Sequence, residues 1–300
     1  MHQTAPPSRH LHARMQRVLA HVDAHPDAPL DALTLAAIAA LSPFHFQRLF
    51  TALYRMPVGR YVQLRRLQRA AHALAYRRDS ITTIALAHGY ATPDAFGRAF
   101  RHLLGQSPGA FRRAPDPARW RDAFVALDAF PHDANSGPTM RDAAPSHTVD
   151  IVHQPDIAVA MLEHRGDPRH LDGSLRRFIA WRRAHRLPPS RSRTFNLFHT
   201  ADDVAPDDSR MSLCAATTEA VAPNPEGVVA GVIHGGRVAQ LHGRGSDAAM
   251  AAAFAWLYGH WLPASGETLR DAPPLLERLR LFPDVAAGDA EWIACLPLAD

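Results

Sequence analysis

The 300-residue sequence has no lysine, so all 33 of its basic side chains are arginines, set against 29 acids and 19 histidines. It has only two cysteines, Cys214 and Cys295. Each lies in an apolar, strand-like run, which argues against a disulfide framework and for buried thiols in a reducing, cytoplasmic setting. No apolar run approaches the roughly 18–20 residues that cross a bilayer, so no membrane partner is expected. The opening MHQTAPPSRHLHAR has no apolar stretch behind its charges and does not resemble a signal peptide. Enzyme signatures are missing too: there is no GxSxG and no nucleophile–base pair. The nearest approach to metal spacing, His10 with His12 and His21 with His25, falls on a surface-type helix. No catalytic residues, metal or cofactor are expected.

What is present is an uneven distribution of charge. Residues 1–113 carry 15 arginines and five acids, a net of +10, whereas residues 114–300 carry 18 arginines and 24 acids, a net of −6. A basic front on an acidic remainder suggests that the front binds a polyanion.

The basic third has the periodicity of helices with short breaks. HLHARMQRVLAHVDAH places Met15, Val18, Leu19 and Val22 at helical spacing. LDALTLAAIAAL follows, and Ser42-Pro43 supplies an N-cap and first residue for SPFHFQRLFTALYR. Pro57 opens a long helix to about Arg77, Ser80 caps ITTIALAHG, and Thr92-Pro93 opens TPDAFGRAFRHLL. Two segments share one plan: a small-residue helix, a tight break, Ser/Thr-Pro, then an amphipathic helix ending in Arg-x-Phe. Their Ser/Thr-Pro pairs are 50 positions apart. Each has the helix-turn-helix signature, in which the second helix presents its early residues to base edges. Phe46, Leu49 and Phe50 set the inward face of the first such helix, leaving Phe44, His45, Gln47 and Arg48 toward the outside. In the second, Phe96, Ala99 and Phe100 face inward and Thr92, Asp94, Arg98 and Arg101 face out. Gln pairs with adenine and Arg forks to guanine, so double-stranded DNA is the expected partner. The long helix between them, about 20 residues or ~30 Å, compares with ~34 Å for one turn of DNA.

From Pro115 to about Ser146 the text is irregular, with one helix expected around WRDAFVALDAF. Beyond residue 147 the order strand–strand–helix–strand–strand occurs twice, which implies an α+β domain with internal pseudo-symmetry. The motifs HRGD and HGRG-SD precede the two helices.

Residues 9–113, through LAAIAALSPFHFQRLFTALYRMPVGRYV, RRLQRAAHAL and ITTIALAHGYATPDAFGRAFRHLLGQSPGAFRR, closely resemble the DNA-binding domain of the AraC/XylS family of transcription regulators. The resemblance carries base reading to Phe44, Gln47 and Arg48, and to Pro93, Asp94 and Arg98. It also implies RNA polymerase as a partner. Residues 147–300, through LEHRGDP, RRFIAWRRAHRL, CAATT, GVVAGVIHGGRVAQLHGRGS and WLPASGETLRDAPPLLE, resemble a GyrI-like effector-binding domain. That resemblance implies an aromatic-lined pocket with a carboxylate for a cationic or aromatic small molecule. The candidates are Phe178, Trp181, Trp256, Tyr258, Trp261 and Glu277. Where relatives carry a tyrosine two residues after this glutamate the chain has Leu279, and an acid of the last strand is replaced near Ile293. The expected architecture is two domains: an all-α double helix-turn-helix domain at 1–113, a linker at 114–146, and a pseudo-symmetric antiparallel sheet with two helices at 147–300. The expected function is a ligand-responsive, sequence-specific transcription regulator. The alternative is a hydrolase using Glu277 as a base, or a protein that sequesters a small molecule.

Overall fold

The structure is a computed structural model that describes residues 7–128, 147–201, 204–281 and 285–300. It divides into two compact units. One holds Arg9–Ala40 and the described residues from Leu53 to Asp128; the other holds Leu41–Ala52 and the described residues from His147 onward.

The first unit is helical. Helices α1 (Pro7–Ala24) and α2 (Ala32–Ile38) are followed, after the excursion of Leu41–Ala52, by α4 (Val58–Tyr76), α5 (Ile81–Ala87), α6 (Pro93–Leu104), α7 (Pro108–Arg113) and α8 (Pro117–Asp128); α3 (Pro43–Tyr54) lies mostly in the second unit. Met15, Val18, Leu19 and Val22 of α1 are buried, as are Tyr61, Leu64, Leu67, Ala71 and Leu74 on α4. Side-chain oxygens cap the short helices: Asp31 accepts from the Thr34 N–H at 2.7 Å, Ser80 from Thr83 at 3.0 Å, Thr92 from Ala95 at 3.1 Å and Ser107 from Ala110 at 3.2 Å. Each cap satisfies a donor that the first helical turn leaves open. The expected Ser42 cap does not form. Its carbonyl accepts from Phe46 at 3.0 Å, but its buried hydroxyl has no partner among the described residues.

Two arginines of α4 are structural. Arg65 forks onto both oxygens of Asp23, at 2.8 and 2.5 Å. Arg66 donates to the carbonyls of Pro26 at 2.9 Å, Ala28 at 2.7 Å and Gly89 at 3.4 Å, tying two turns to one helix. The breaks after α2 and α5 both use left-handed backbone, at Ala40 with φ 50° and at Gly89 with φ 75°. An L-residue with a Cβ is strained there, by roughly 1–2 kcal/mol.

The second unit contains the sheet: β1 (Val149–Gln154), β2 (Ile157–Arg165), α9 (Leu171–Ala184), β3 (Thr194–Phe198), β4 (Arg210–Ala216), then β5 (Val229–Ile233), β6 (Gly236–Arg244), α10 (Asp247–Trp256), a π turn at Leu257–Trp261, α11 (Leu262–Ser265), β7 (Leu275–Arg280) and β8 (Glu291–Pro297). The twofold strand–strand–helix–strand–strand order is the one expected. All pairings are antiparallel, in the order β1-β6-β8-β7-β3-β4-β2-β5.

That order has a mechanical consequence. β1 lies at one end of the sheet and β2 near the other, yet only Pro155 and Asp156 join them. Likewise, only His234 and Gly235 join β5 at one edge to β6. The two edges are therefore drawn together and the sheet curls. The connectors meet: the Gly235 N–H donates to Asp156 Oδ1 at 2.7 Å, and a Cβ on Gly235 would stand 2.2 Å from the Gln154 carbonyl oxygen.

Residues paired across antiparallel strands share a face. One face carries Ala160, Leu162, Leu213 and Ala215 and is covered by Phe178 and Trp181 of α9. Phe198, on this face, meets Phe254 of α10 edge-on at 5.6 Å. The inner, concave face carries Ile157, Val159, Phe195, Leu197, Cys214, Leu275, Ile293 and Cys295. Both cysteines are free and buried there; burial raises both thiol pKa values, that of Cys214 to about 12.

Two stability changes are expected. Ala40→Gly raises stability by about 0.5–1 kcal/mol, since relief of strain exceeds the added unfolded-state entropy; urea denaturation measures it. Gly235→Ala forces the connectors apart and costs about 1–3 kcal/mol in the same measurement.

Candidate functional site

On α6 the burial follows the expected faces, except that Ala99 is only half-buried. Phe96 and Phe100 are fully buried and meet edge-on at 5.4 Å, and Phe100 meets Phe111 in the same way. Thr92, Asp94, Arg98 and Arg101 are all exposed. Thr92 is committed to capping. Arg98 and Arg101 make no hydrogen bond or ion pair among the described residues, so both guanidiniums are open to a polyanion.

On α3 the burial of Phe46, Leu49 and Phe50 is as expected, but His45 requires a correction. It is 1 % exposed, with Nδ1 2.7 Å from the Tyr258 hydroxyl and Nε2 2.9 Å from the Arg270 carbonyl. A carbonyl only accepts, so Nε2 carries the proton and Nδ1 accepts from Tyr258. Burial lowers the His45 pKa from 6.5 to about 4, with the positive charge of Arg48 adding to the effect. Arg48 is half-buried and donates to the Phe44 carbonyl at 2.6 Å, to Phe198 at 3.3 Å and to Thr200. Phe44 and Gln47 remain half-exposed. Spacing assigned His45 to the outside because a helix has room for a flank between its apolar stripe and its solvent face. The flank here is covered by the second unit's own strand and helix ends, and a helical wheel carries no sign of that.

The six effector candidates do not converge. Phe178 and Trp181 are core beneath α9 on the outer face. Tyr258 is 1 % exposed and engaged by His45. Trp256 and Trp261 are half-buried, with Trp256 stacked on His260 at 6.2 Å and edge-on to His147 at 4.9 Å. Glu277 alone lies on the concave face, directly opposite Phe195 on β3 and Ile293 on β8. The substituted acid position at Ile293 is thus its cross-strand neighbour. Leu279, two residues along the same strand, is 46 % exposed. Arg193 forks onto the Glu277 carboxylate at 2.6 and 2.8 Å, with its guanidinium carbon 5.0 Å from the centre of the Phe195 ring. That carboxylate raises the Arg193 pKa. Sequence reasoning missed Arg193 and Phe195; alternation along TFNLF, paired with LLERLR, held the signal.

The two HRGD-like motifs are not chemically equivalent. His164 is buried with Nδ1 3.0 Å from Ser174 Oγ, while His242 is exposed. Among the described residues no cluster suits a metal ion, and no helix is long and apolar enough to cross a membrane.

Comparison with known proteins separates the same two parts. A helix-turn-helix domain family matches residues 35–114, and the GyrI-like small molecule binding domain family matches residues 147–298. The probable transcriptional regulator YgiV of Escherichia coli K12 is 35 % identical over 153 residues, spanning 50 % of this chain and 96 % of its own length. The regulatory protein SoxS of the same strain is 32 % identical over 98 residues, spanning 33 % of this chain and 92 % of its own length. The solved DNA-binding domain of AdpA, the global transcriptional factor, in complex with a target DNA, is 29 % identical and covers 37 % of this chain and 93 % of that one, at a TM-score of 0.33. Both curated relatives carry the names of regulatory proteins. The two family matches make this a DNA-binding transcription regulator with a small-molecule-binding domain. The chain belongs to the GyrI-like family, here fused to an AraC/XylS-type helix-turn-helix region.

The buried imidazole sets a pH dependence. A His45 pKa held near 4 when folded and 6.5 when unfolded means that the unfolded chain takes up the proton first. The stability it contributes is complete above pH ~6.5 and is lost as pH falls toward 4. His45→Gln is expected to flatten that part of the thermal-midpoint profile relative to the parent.

Proposed function

We propose that residues 1–113 read DNA chiefly through α6, and that residues 147–300 bind a small cationic or aromatic effector on the concave face centred on Glu277. The observation that carries the DNA assignment is the pair of unengaged, exposed guanidiniums of Arg98 and Arg101 on a capped helix whose opposite face is fully buried. Arg98 lies one turn into the helix, where a fork to guanine is the fitting contact, and Arg101 a turn later suits a phosphate. Asp94 accepts only and matches a cytosine amino group. On α3, Gln47 and Phe44 are available as they stand. Arg48 reads a base only after exchanging the carbonyls of Phe198 and Thr200 for DNA, and His45 is assigned to packing. RNA polymerase is the protein partner that this class of regulator implies, through a surface other than α6.

Glu277 is the only effector candidate on the concave face; Phe195 replaces Phe178 and Trp181 as its aromatic companion. With both oxygens engaged by Arg193, Glu277 is not poised as a general base, which disfavours the hydrolase reading.

Fluorescence anisotropy with a selected duplex tests the DNA assignment. Arg98→Ala is expected to cost ~1–3 kcal/mol at the cognate site and little on unrelated DNA. Arg101→Ala should weaken binding to all sequences and lower the salt slope by about one. Equal losses for Arg98→Ala on every duplex would reduce it to a phosphate contact.

A further inference from the structure

Glu277 is a buried carboxylate, its side chain 7 % exposed, set in an apolar surface of Phe195, Leu275, Ile293 and Cys295. A lone charge there is unfavourable and demands a counter-charge. Arg193 supplies it, forking onto the carboxylate and lying against the Phe195 ring. The other nearby cation of β7, Arg278, belongs to the outer face, where it donates to Asn196 Oδ1 at 2.6 Å and pairs with Asp247 at 3.7 Å.

Arg193 differs from Glu277 in how it is held. Its side chain is 49 % exposed and enters the site from solvent. The backbone around it is pinned: the Ala216 N–H donates to the Arg193 carbonyl at 2.9 Å, and Ser192 Oγ donates to the Ala216 carbonyl at 2.7 Å. Motion of the side chain alone is therefore enough to empty the site. When the pair opens, water re-solvates the half-exposed guanidinium but the buried carboxylate is left uncompensated, so the open state is sparsely populated until another cation replaces it. The carboxylate left behind cannot move into water and must find another cation.

We propose that Arg193 is a tethered occupant of a cation slot, and that the chain's effector is a planar, delocalised organic cation that enters by displacing it. This rests on the reading that the Glu277 face binds ligand. The guanidinium defines the ligand's chemistry: flat, with charge spread over several N–H groups, able to fork to a carboxylate and lie on a ring. The tether also sets the response threshold. A site open for only a fraction of the time binds with its affinity reduced by that fraction.

The test uses the full chain without DNA and two fluorescent probes, the planar acridinium cation proflavine and the anion 8-anilinonaphthalene-1-sulfonate, at pH 8. Arg193→Ala is expected to bind proflavine at least tenfold more tightly than the parent, and Glu277→Gln placed on top of it should abolish the gain. Thermal melts check folding, and Arg193→Gln, which keeps the stem and a polar tip, serves if the alanine variant is unstable. If neither Arg193 variant tightens binding while Glu277→Gln alone weakens it, the slot exists but Arg193 is not its occupant, and the proposal falls while the Glu277 reading stands. If proflavine binding is indifferent to Glu277→Gln, or the sulfonate binds and requires Arg193, the reading of the face falls and the proposal with it.

Discussion

The meeting of two short connectors governs the C-terminal half. Pro155-Asp156 and His234-Gly235 each join strands that the sheet order places far apart, and Gly235 lets their backbones touch. Without that closure the antiparallel sheet would present a flat second face to water. With it, the inner face is concave and apolar, and a carboxylate placed there is removed from bulk solvent. The electrostatics of Glu277 therefore derive from a backbone contact, and the choice of Arg193 as its companion follows from the need to neutralise what the curl has buried.

In the N-terminal third the same residue type does two jobs. The net charge of +10 suggested a front that binds a polyanion, and within it the arginines are sorted by their partners. Arg65 and Arg66 are consumed by Asp23 and by three carbonyls, and they brace turns. Arg98 and Arg101 are left open. An arginine holding backbone carbonyls contributes little to polyanion affinity, so the charge that counts for DNA is smaller than the total.

Much of this was legible in the sequence, and the reasons differ by element. The caps at Ser80 and Thr92 were readable because capping is local chemistry within four residues. The doubled strand–strand–helix–strand–strand order was readable because period-2 and period-3.6 patterns are also local. Ser42 looked like the same signal as Thr92, yet its hydroxyl caps nothing. The effector candidates fared worse. Phe178 and Trp181 are large aromatics at helical spacing, which describes a core as well as a pocket, and core is what they are. Arg193 and Phe195 escaped notice because their meaning lies in register: Phe195 matters only as the residue opposite Glu277, 82 positions away. His45 failed for a related reason, since its partners Tyr258 and Arg270 lie more than two hundred positions along the chain.

The complete replacement of lysine by arginine gains a different meaning at Arg66. One planar fork there serves carbonyls from two separate turns. An ammonium group is a compact point donor on a flexible stem and does not span them. In a lineage whose codons drifted toward lysine, surface arginines such as Arg101 would be free to follow the drift, while Arg66 would be held back. Geometry thus holds arginine at this position whatever the rest of the surface carries.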